Sequence, residues 1–136
     1  MRTEQKHKLA RLRHWRVRRK IRGTKERPRM SVRFTNENIY VQFIDDNAGT
    51  TLAAASTTSK TAPGRDKLAA NVASAKVIGK LAAEAALAKG IKIVVFDRGG
   101  ARYHWSRNKG KDGKPVTVLG KLATLAGAAR EAGLKF

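Results

Sequence analysis

Residues 29–44 read RMSVRFTNENIYVQFI. Met30, Val32 and Phe34 alternate with Arg29, Ser31 and Arg33. After the turn formers Thr35-Asn36-Glu37-Asn38 the alternation resumes, with Ile39, Val41 and Phe43 on one side and Tyr40, Gln42 and Ile44 on the other. A period of two residues is that of a strand lying with one face on a core, so this stretch predicts an antiparallel hairpin. Asp45-Asp46-Asn47-Ala48-Gly49 has the acid and glycine chemistry of a second turn, and Thr50 to Ser56 follows as a third strand of small side chains. The expected product is a three-stranded meander. One face is apolar and the other carries Arg29, Ser31, Arg33, Tyr40 and Gln42.

Downstream, residues 57–66 form a polar linker containing Pro63-Gly64. From about Asp66, the predicted N-cap, to Lys89 runs an alanine-rich segment. There Leu68, Val72, Ala75, Ile78 (or Val77), Leu81, Ala82 and Ala85 recur at helical spacing, and Gly90 follows as the terminating residue. The many alanines imply close packing on a sheet. Ile91 to Phe96 is nearly continuous in apolar residues, which predicts a buried strand parallel to a neighbour. A last helix is expected from about Lys121 to Ala132, closed by Gly133. Between them, Trp105 to Leu119 is polar and punctuated by glycine, an exposed loop in which Val116 to Leu119 can return as a short strand. That return makes a hairpin around Lys111-Asp112-Gly113-Lys114. The order βββαβα gives an α/β sandwich with a mixed sheet.

Upstream lies something different. Residues 1 to 29 hold 13 of the 30 Lys and Arg residues of the chain and only two acids, Glu4 and Glu26. Leu9, Leu12 and Val17 are too few for a core-facing stripe, and Arg11, Arg13, Arg16, Arg18 and Arg19 surround the segment on all sides. Like charges three and four residues apart destabilise an isolated helix. Residues 3–20 therefore predict a basic arm whose helix is weak in solution and firms up against phosphates, broken by Gly23-Thr24 and Arg27-Pro28. The chain divides into an arm over residues 1–26 and a single α/β domain over 27–136, with a loop inserted at about 105–119.

A net charge of +20 in 136 residues favours a polyanionic partner, nucleic acid before an anionic membrane surface. Solubility alone does not need so much charge of one sign. No apolar run approaches the ~18 residues of a membrane span, and MRTEQKHKLARLRHW lacks the apolar stretch of a secretory signal. The absence of cysteine removes thiol and disulfide chemistry and fits the cytoplasm.

The stretch FDRGGARYHW, residues 96–105, admits two readings. Glycines after a buried strand can cradle the phosphates of a nucleotide. A dinucleotide site, however, wants G-x-G-x-x-G opening a helix, and a P-loop wants a lysine followed by serine or threonine. Here Gly99 and Gly100 lead instead to Ala-Arg-Tyr-His-Trp, which favours backbone freedom and close approach. Asp97 reads as an ion-pair partner that orients Arg98 rather than as a catalytic acid.

Taken in order, IRGTKERPRMSV, NIYVQFIDD, TLAAAST, GIKIVVFDRGGARYH and AAREAGLKF resemble the bacterial large-subunit ribosomal proteins of the L-eighteen family. The resemblance runs over most of residues 10 to 104 and again over 120 to 136. It implies a ribonuclease H-like sandwich preceded by a basic helical arm. It also implies binding to 5S rRNA, attachment of that RNA to the large-subunit rRNA at the central protuberance, and neighbouring large-subunit ribosomal proteins as further partners. Trp105 to Leu119 depart from the family pattern, in which the tyrosine-histidine pair passes almost directly into the last helix. Ala101 stands where an aromatic or bulky residue is common.

On this reading Arg11, Arg13, Arg16, Arg18, Arg19, Lys20 and Arg22 neutralise phosphates, against the alternative of a solubilising tail. Such contacts give affinity rather than sequence specificity. Arg27, Arg29, Ser31, Arg33, Tyr40 and Gln42 form a flat RNA-facing surface, where the alternative is a solvated sheet face. Arg98, Gly99, Gly100, Arg102, Tyr103 and His104 form a second cluster, in which His104 can equally be an ordinary hydrogen-bonded histidine. A nuclease would need several converging carboxylates. Asp45 and Asp46 have a turn to explain them, Glu84 lies in a helix and Asp97 at a strand end, and three histidines without cysteine make a poor zinc set. The expectation is a structural ribosomal protein of the cytoplasm without catalytic activity, cofactor, metal or small-molecule substrate. The alternative is a general binder of structured RNA or DNA outside the ribosome.

Overall fold

The computed structural model describes residues 1–103, 106–109 and 111–136, without the side chains of 106–109 and 115–117. In chain order the elements are α1 (Thr3–Lys20), β1 (Arg29–Phe34), β2 (Ile39–Asp45), β3 (Thr50–Ser56) and a single 3-10 turn (Arg65–Lys67). Then come α2 (Val72–Ala88), β4 (Val95–Asp97), β5 (Ser106–Lys109), β6 (Pro115–Val118) and α3 (Lys121–Glu131).

The alternation of residues 29–44 sets the sheet. β1 and β2 pair antiparallel with Ser31 opposite Gln42, Val32 opposite Val41 and Arg33 opposite Tyr40. β3 joins the far side of β2, with an irregular register between Phe43 and Ile44. β4 lies parallel to β1, so the strand order is β3-β2-β1-β4 and the sheet is mixed. Met30, Val32, Ile39, Val41 and Phe43 are buried from the apolar face. Each such side chain contributes roughly 1.5–3 kcal/mol relative to exposure. The helices cover that face, α2 with Ala75, Ile78 and Ala82 and α3 with Leu122, Leu125 and Ala129. Small residues let the two helices approach. A β-carbon on Gly79 would strike the Leu125 carbonyl and come within 3.0 Å of the Ala128 methyl.

Both of these helices end as the glycines suggest. Gly90 N–H donates to Leu87 O and Ile91 N–H to Ala86 O. Gly133 and Leu134 repeat the pattern onto Arg130 O and Ala129 O. The positive φ this termination requires, +76° at Gly90 and +112° at Gly133, is the conformation a glycine adopts most cheaply.

Two expectations are corrected. The helix begins not at Asp66 but after Asn71, whose side chain accepts the Ser74 N–H at 2.7 Å, while Ser74 Oγ accepts the Ala69 N–H at 3.0 Å. Asp66 lies in the 3-10 turn, and Val72, at the helix start, is exposed. Ile91 to Phe96 is also not a continuous buried strand. Only Val95–Asp97 pair with β1, and Ile93 is 48% exposed. The cause is that β4 is the sheet edge: just before it, Val94 N–H donates to Lys135 O and Lys135 N–H to Lys92 O, so the chain switches partners there. The inserted segment forms the hairpin its turn residues suggest, with β5 and β6 antiparallel as a separate two-stranded sheet.

Candidate nucleic-acid interface

The face of the sheet away from α2 and α3 carries the polar residues. Arg33 and Tyr40 are cross-strand partners, as are Ser31 and Gln42, and Asp97 stands beside Ser31 on β4. Arg33, Tyr40 and Gln42 are exposed and Ser31 is half-buried.

Arg29, on the same face, turns inward. Its guanidinium forks onto Asp46, Nε to Oδ2 at 2.9 Å and Nη2 to Oδ1 at 3.1 Å, and its Nη1 donates to Asp97 Oδ2 at 2.9 Å. Arg18, near the end of α1, donates to Asp46 Oδ1 at 3.0 Å and brings Nη1 to 3.8 Å from Asp97 Oδ2. Two arginines and two aspartates therefore form a clasp that fixes the end of α1 to the sheet. The Arg29 and Asp97 side chains are 10% and 4% exposed, so this pair at the centre of the clasp is shielded from water and salt. The Arg29 hydrogen bond, helped by the Gly23 N–H and Arg18, holds the Asp46 carboxyl well below the usual carboxylate range, although burial opposes this. Burial pulls the Arg29 pKa down, but hydrogen bonds and charge from Asp46 and Asp97 leave it above the ordinary arginine value.

Gly23 completes the clasp. Its N–H donates to Asp46 Oδ2 at 2.8 Å and its carbonyl accepts the Asp46 N–H at 3.1 Å. A β-carbon there would meet the Ile44 carbonyl oxygen and lie 2.5 Å from Arg29 N. The glycine that breaks the arm helix is thus required by close approach.

A group whose folded pKa is depressed contributes stability above its unfolded pKa and loses that contribution as pH falls. The stability difference between the parent and Asp46→Asn, measured by urea unfolding, is therefore expected to be constant from about pH 5 to 8 and to shrink below about pH 4. An equal difference at pH 7 and pH 3 would exclude the charged clasp as its source.

The glycine pair has the structural role its sequence favours. Gly99 and Gly100 have φ of +57° and +83°, and Ala101 N–H donates to Arg98 O at 2.9 Å, a tight turn with both central residues left-handed. Gly99 N–H donates to Asp97 Oδ1 at 3.0 Å. Asp97 thus pairs with Arg29 and caps the turn. It does not orient Arg98, which the turn leaves exposed together with Arg102. Tyr103 is half-buried, edge-on to Phe96 with centroids 6.4 Å apart, and its hydroxyl accepts from Arg130 at 3.4 Å. His104 lies outside the described residues.

Along α1 no residue is buried. Arg16, Arg19 and Lys20, and beyond the helix Arg22 and Arg27, are exposed. Arg11 and Arg13 share a groove of about 900 Å³ with Arg98, Gly99, Gly100, Arg102 and Tyr103, which the fold thereby brings together. The helix side of this groove also includes Ala10, His14, Val17 and Ile21, at spacings of four, three and four residues. That stripe was available in the sequence but is too weakly apolar to stand out. Asp46 gave no signal beyond its turn, because its partners lie 17 and 28 residues away. Its neighbour Asp45 does serve the turn, accepting from Asn47 N–H and Ala48 N–H.

The sequence matches, over residues 4–109, the family described as ribosomal L18 of archaea, bacteria, mitochondria and chloroplast. It is 50% identical over 131 residues to the large ribosomal subunit protein uL18 of Lactococcus lactis subsp. lactis, covering 96% of this chain and 95% of that one. It is 51% identical to the protein of the same name from Lactobacillus delbrueckii subsp. bulgaricus and 47% identical to that of Ruminiclostridium cellulolyticum, with the same coverage of both chains.

Proposed function

The chain belongs to the ribosomal L18 family, structural proteins of the large ribosomal subunit, and from that premise we propose that it binds 5S rRNA and helps attach it to the large-subunit rRNA in the cytoplasmic ribosome. The observation that carries the reading is the distribution of charge over the fold. α2 and α3 close one face of the sheet, while Arg11, Arg13, Arg16 and Arg19 of α1, Arg33, Tyr40 and Gln42 on the other face, and Arg98 and Arg102 of the turn are exposed. Arginine forks suit phosphate oxygens, and the sheet face offers a hydroxyl, a ring and an amide to folded RNA. The antiparallel meander, followed by α2 and a parallel β4, supports a ribonuclease H-like sandwich as the scaffold.

The acids have structural work in this reading. Asp46 and Asp97 are held by Arg29 and Arg18, and among the described residues no group of three or more His, Cys, Asp or Glu side chains is placed to hold a metal ion. The protein then acts as a structural constituent, with magnesium belonging to the fold of the RNA. Gel-shift competition tests the reading. 5S rRNA is expected to displace labelled 5S rRNA far better than transfer RNA or duplex DNA does. Equal displacement by all three would replace it with a general binder of structured nucleic acid.

A further inference from the structure

The groove between α1 and the Asp97–Tyr103 segment combines two chemistries that phosphate binding alone does not require. Arg11 and Arg13 stand on one wall and Arg98 and Arg102 on the other, so four arginines border it. Between them lie Val17 from the helix and, from the other side, Phe96, Ala101 and Tyr103. The acid in the groove, Asp97, is neutralised where it stands, with Oδ2 on Arg29 and Oδ1 on the Gly99 N–H. Its volume of about 900 Å³ falls within the roughly 300–1,000 Å³ of small-molecule sites. That space admits a nucleotide but not a duplex. A base still paired in a helix cannot present a ring face to such a groove, whereas an unpaired one can lie on aromatic and aliphatic surface with its phosphates on arginine.

We propose that this groove seats an unpaired nucleotide of the bound RNA, the base between Val17 and Tyr103 and the flanking phosphates on Arg11, Arg13, Arg98 and Arg102. This rests on the reading that the chain binds 5S rRNA. The clasp gives the site its shape, because Arg18 ties the α1 wall to Asp46 and Arg29 ties Asp46 to Asp97 of the other wall. The cationic exterior of α1 supplies affinity without choosing a sequence. The groove selects RNA with an unpaired base at the right distance from that contact.

The test fills the groove without changing charge. Val17 and Leu12 are both 44% exposed on α1, but only Val17 lines the groove. Val17→Trp is expected to weaken binding to 5S rRNA about tenfold or more, the scale of one lost stacked base, with the salt dependence unchanged. Leu12→Trp is expected to leave affinity as it is. Chemical probing should show a base protected in the parent complex and reactive again in the Val17→Trp complex. Should Val17→Trp lower the thermal midpoint, Ala10→Phe, on the exposed helix surface away from the clasp, is read in its place. Equal affinities for the parent and both groove variants, or equal losses in the groove variants and Leu12→Trp, would overturn the site while leaving 5S rRNA binding intact. Failure of the parent to bind 5S rRNA would overturn the underlying reading instead.

Discussion

An Asp46→Ala variant is expected to melt roughly 10 °C below the parent and to bind RNA more weakly, although it carries one more unit of positive charge. The stability loss follows from what remains behind. Arg29 loses the carboxylate on which its guanidinium forks and keeps only Asp97, Arg18 loses its 3.0 Å partner, and the Gly23 N–H loses its acceptor. Removing one member of a buried ion pair costs about 3–5 kcal/mol, and the remaining Asp97 places this case near the low end. The affinity loss has a separate cause. Deleting an acid from an RNA-binding protein should strengthen binding by charge alone. Here the deleted acid holds the end of α1 at a fixed angle to the sheet, so binding then has to order a helix that the parent presents already placed. Thermal melting with an RNA titration below the melting point separates the two effects. Unchanged or tighter binding by a folded variant would show that the clasp only stabilises the fold.

Between 50 and 200 mM salt, the affinity of the parent for 5S rRNA is expected to fall about 10³- to 10⁵-fold, the range for roughly 6–10 phosphate contacts. Removing residues 1–22 would isolate the arm's share by its charge alone. Arg18 and Gly23 lie in or beside the clasp, however, so a cut that takes charge and spares the fold ends earlier. Removing residues 1–13 takes Arg2, Lys6, Lys8, Arg11 and Arg13 and leaves Arg18. The truncated chain is expected to keep its thermal midpoint and show a distinctly shallower salt dependence of binding. A slope equal to the parent's would place the phosphate contacts on the body.

What the sequence revealed depended on how far apart the interacting residues lie along the chain. The three strands of the meander were legible, β1 and β2 because alternation is local and their apolar face is largely buried, although β2 runs one residue further than expected, through Asp45. The final helix and the β5–β6 hairpin were legible from glycine chemistry. The start of α2 was not. Asp66 and Asn71 are both competent caps, and the choice fell to Asn71, where Ser74 completes a reciprocal pair of hydrogen bonds with the turn. The partial exposure of residues 91–96 was hidden because an apolar run does not announce that its strand lies at an edge. Asp97 was correctly read as an ion-pair partner, but its arginine proved to be 68 residues away rather than next in line. Of the interface, the cations were visible in composition. The groove that joins two groups of them depends on where the clasp, made across long sequence separations, sets the end of α1.

At the other end of the sheet, β3 has no strand beyond it among the described residues. Its sequence, TTLAAAS, contains neither proline nor a charged side chain, the usual guards of a free edge against pairing with a second copy. Beside the irregular register that β3 keeps with β2, the guard left to this edge is mutual repulsion from a net charge of +20, which acts at a distance and fades as ions accumulate. Purified away from nucleic acid in concentrated electrolyte, the protein is expected to lose that protection at the β3 edge, which dilute buffer preserves.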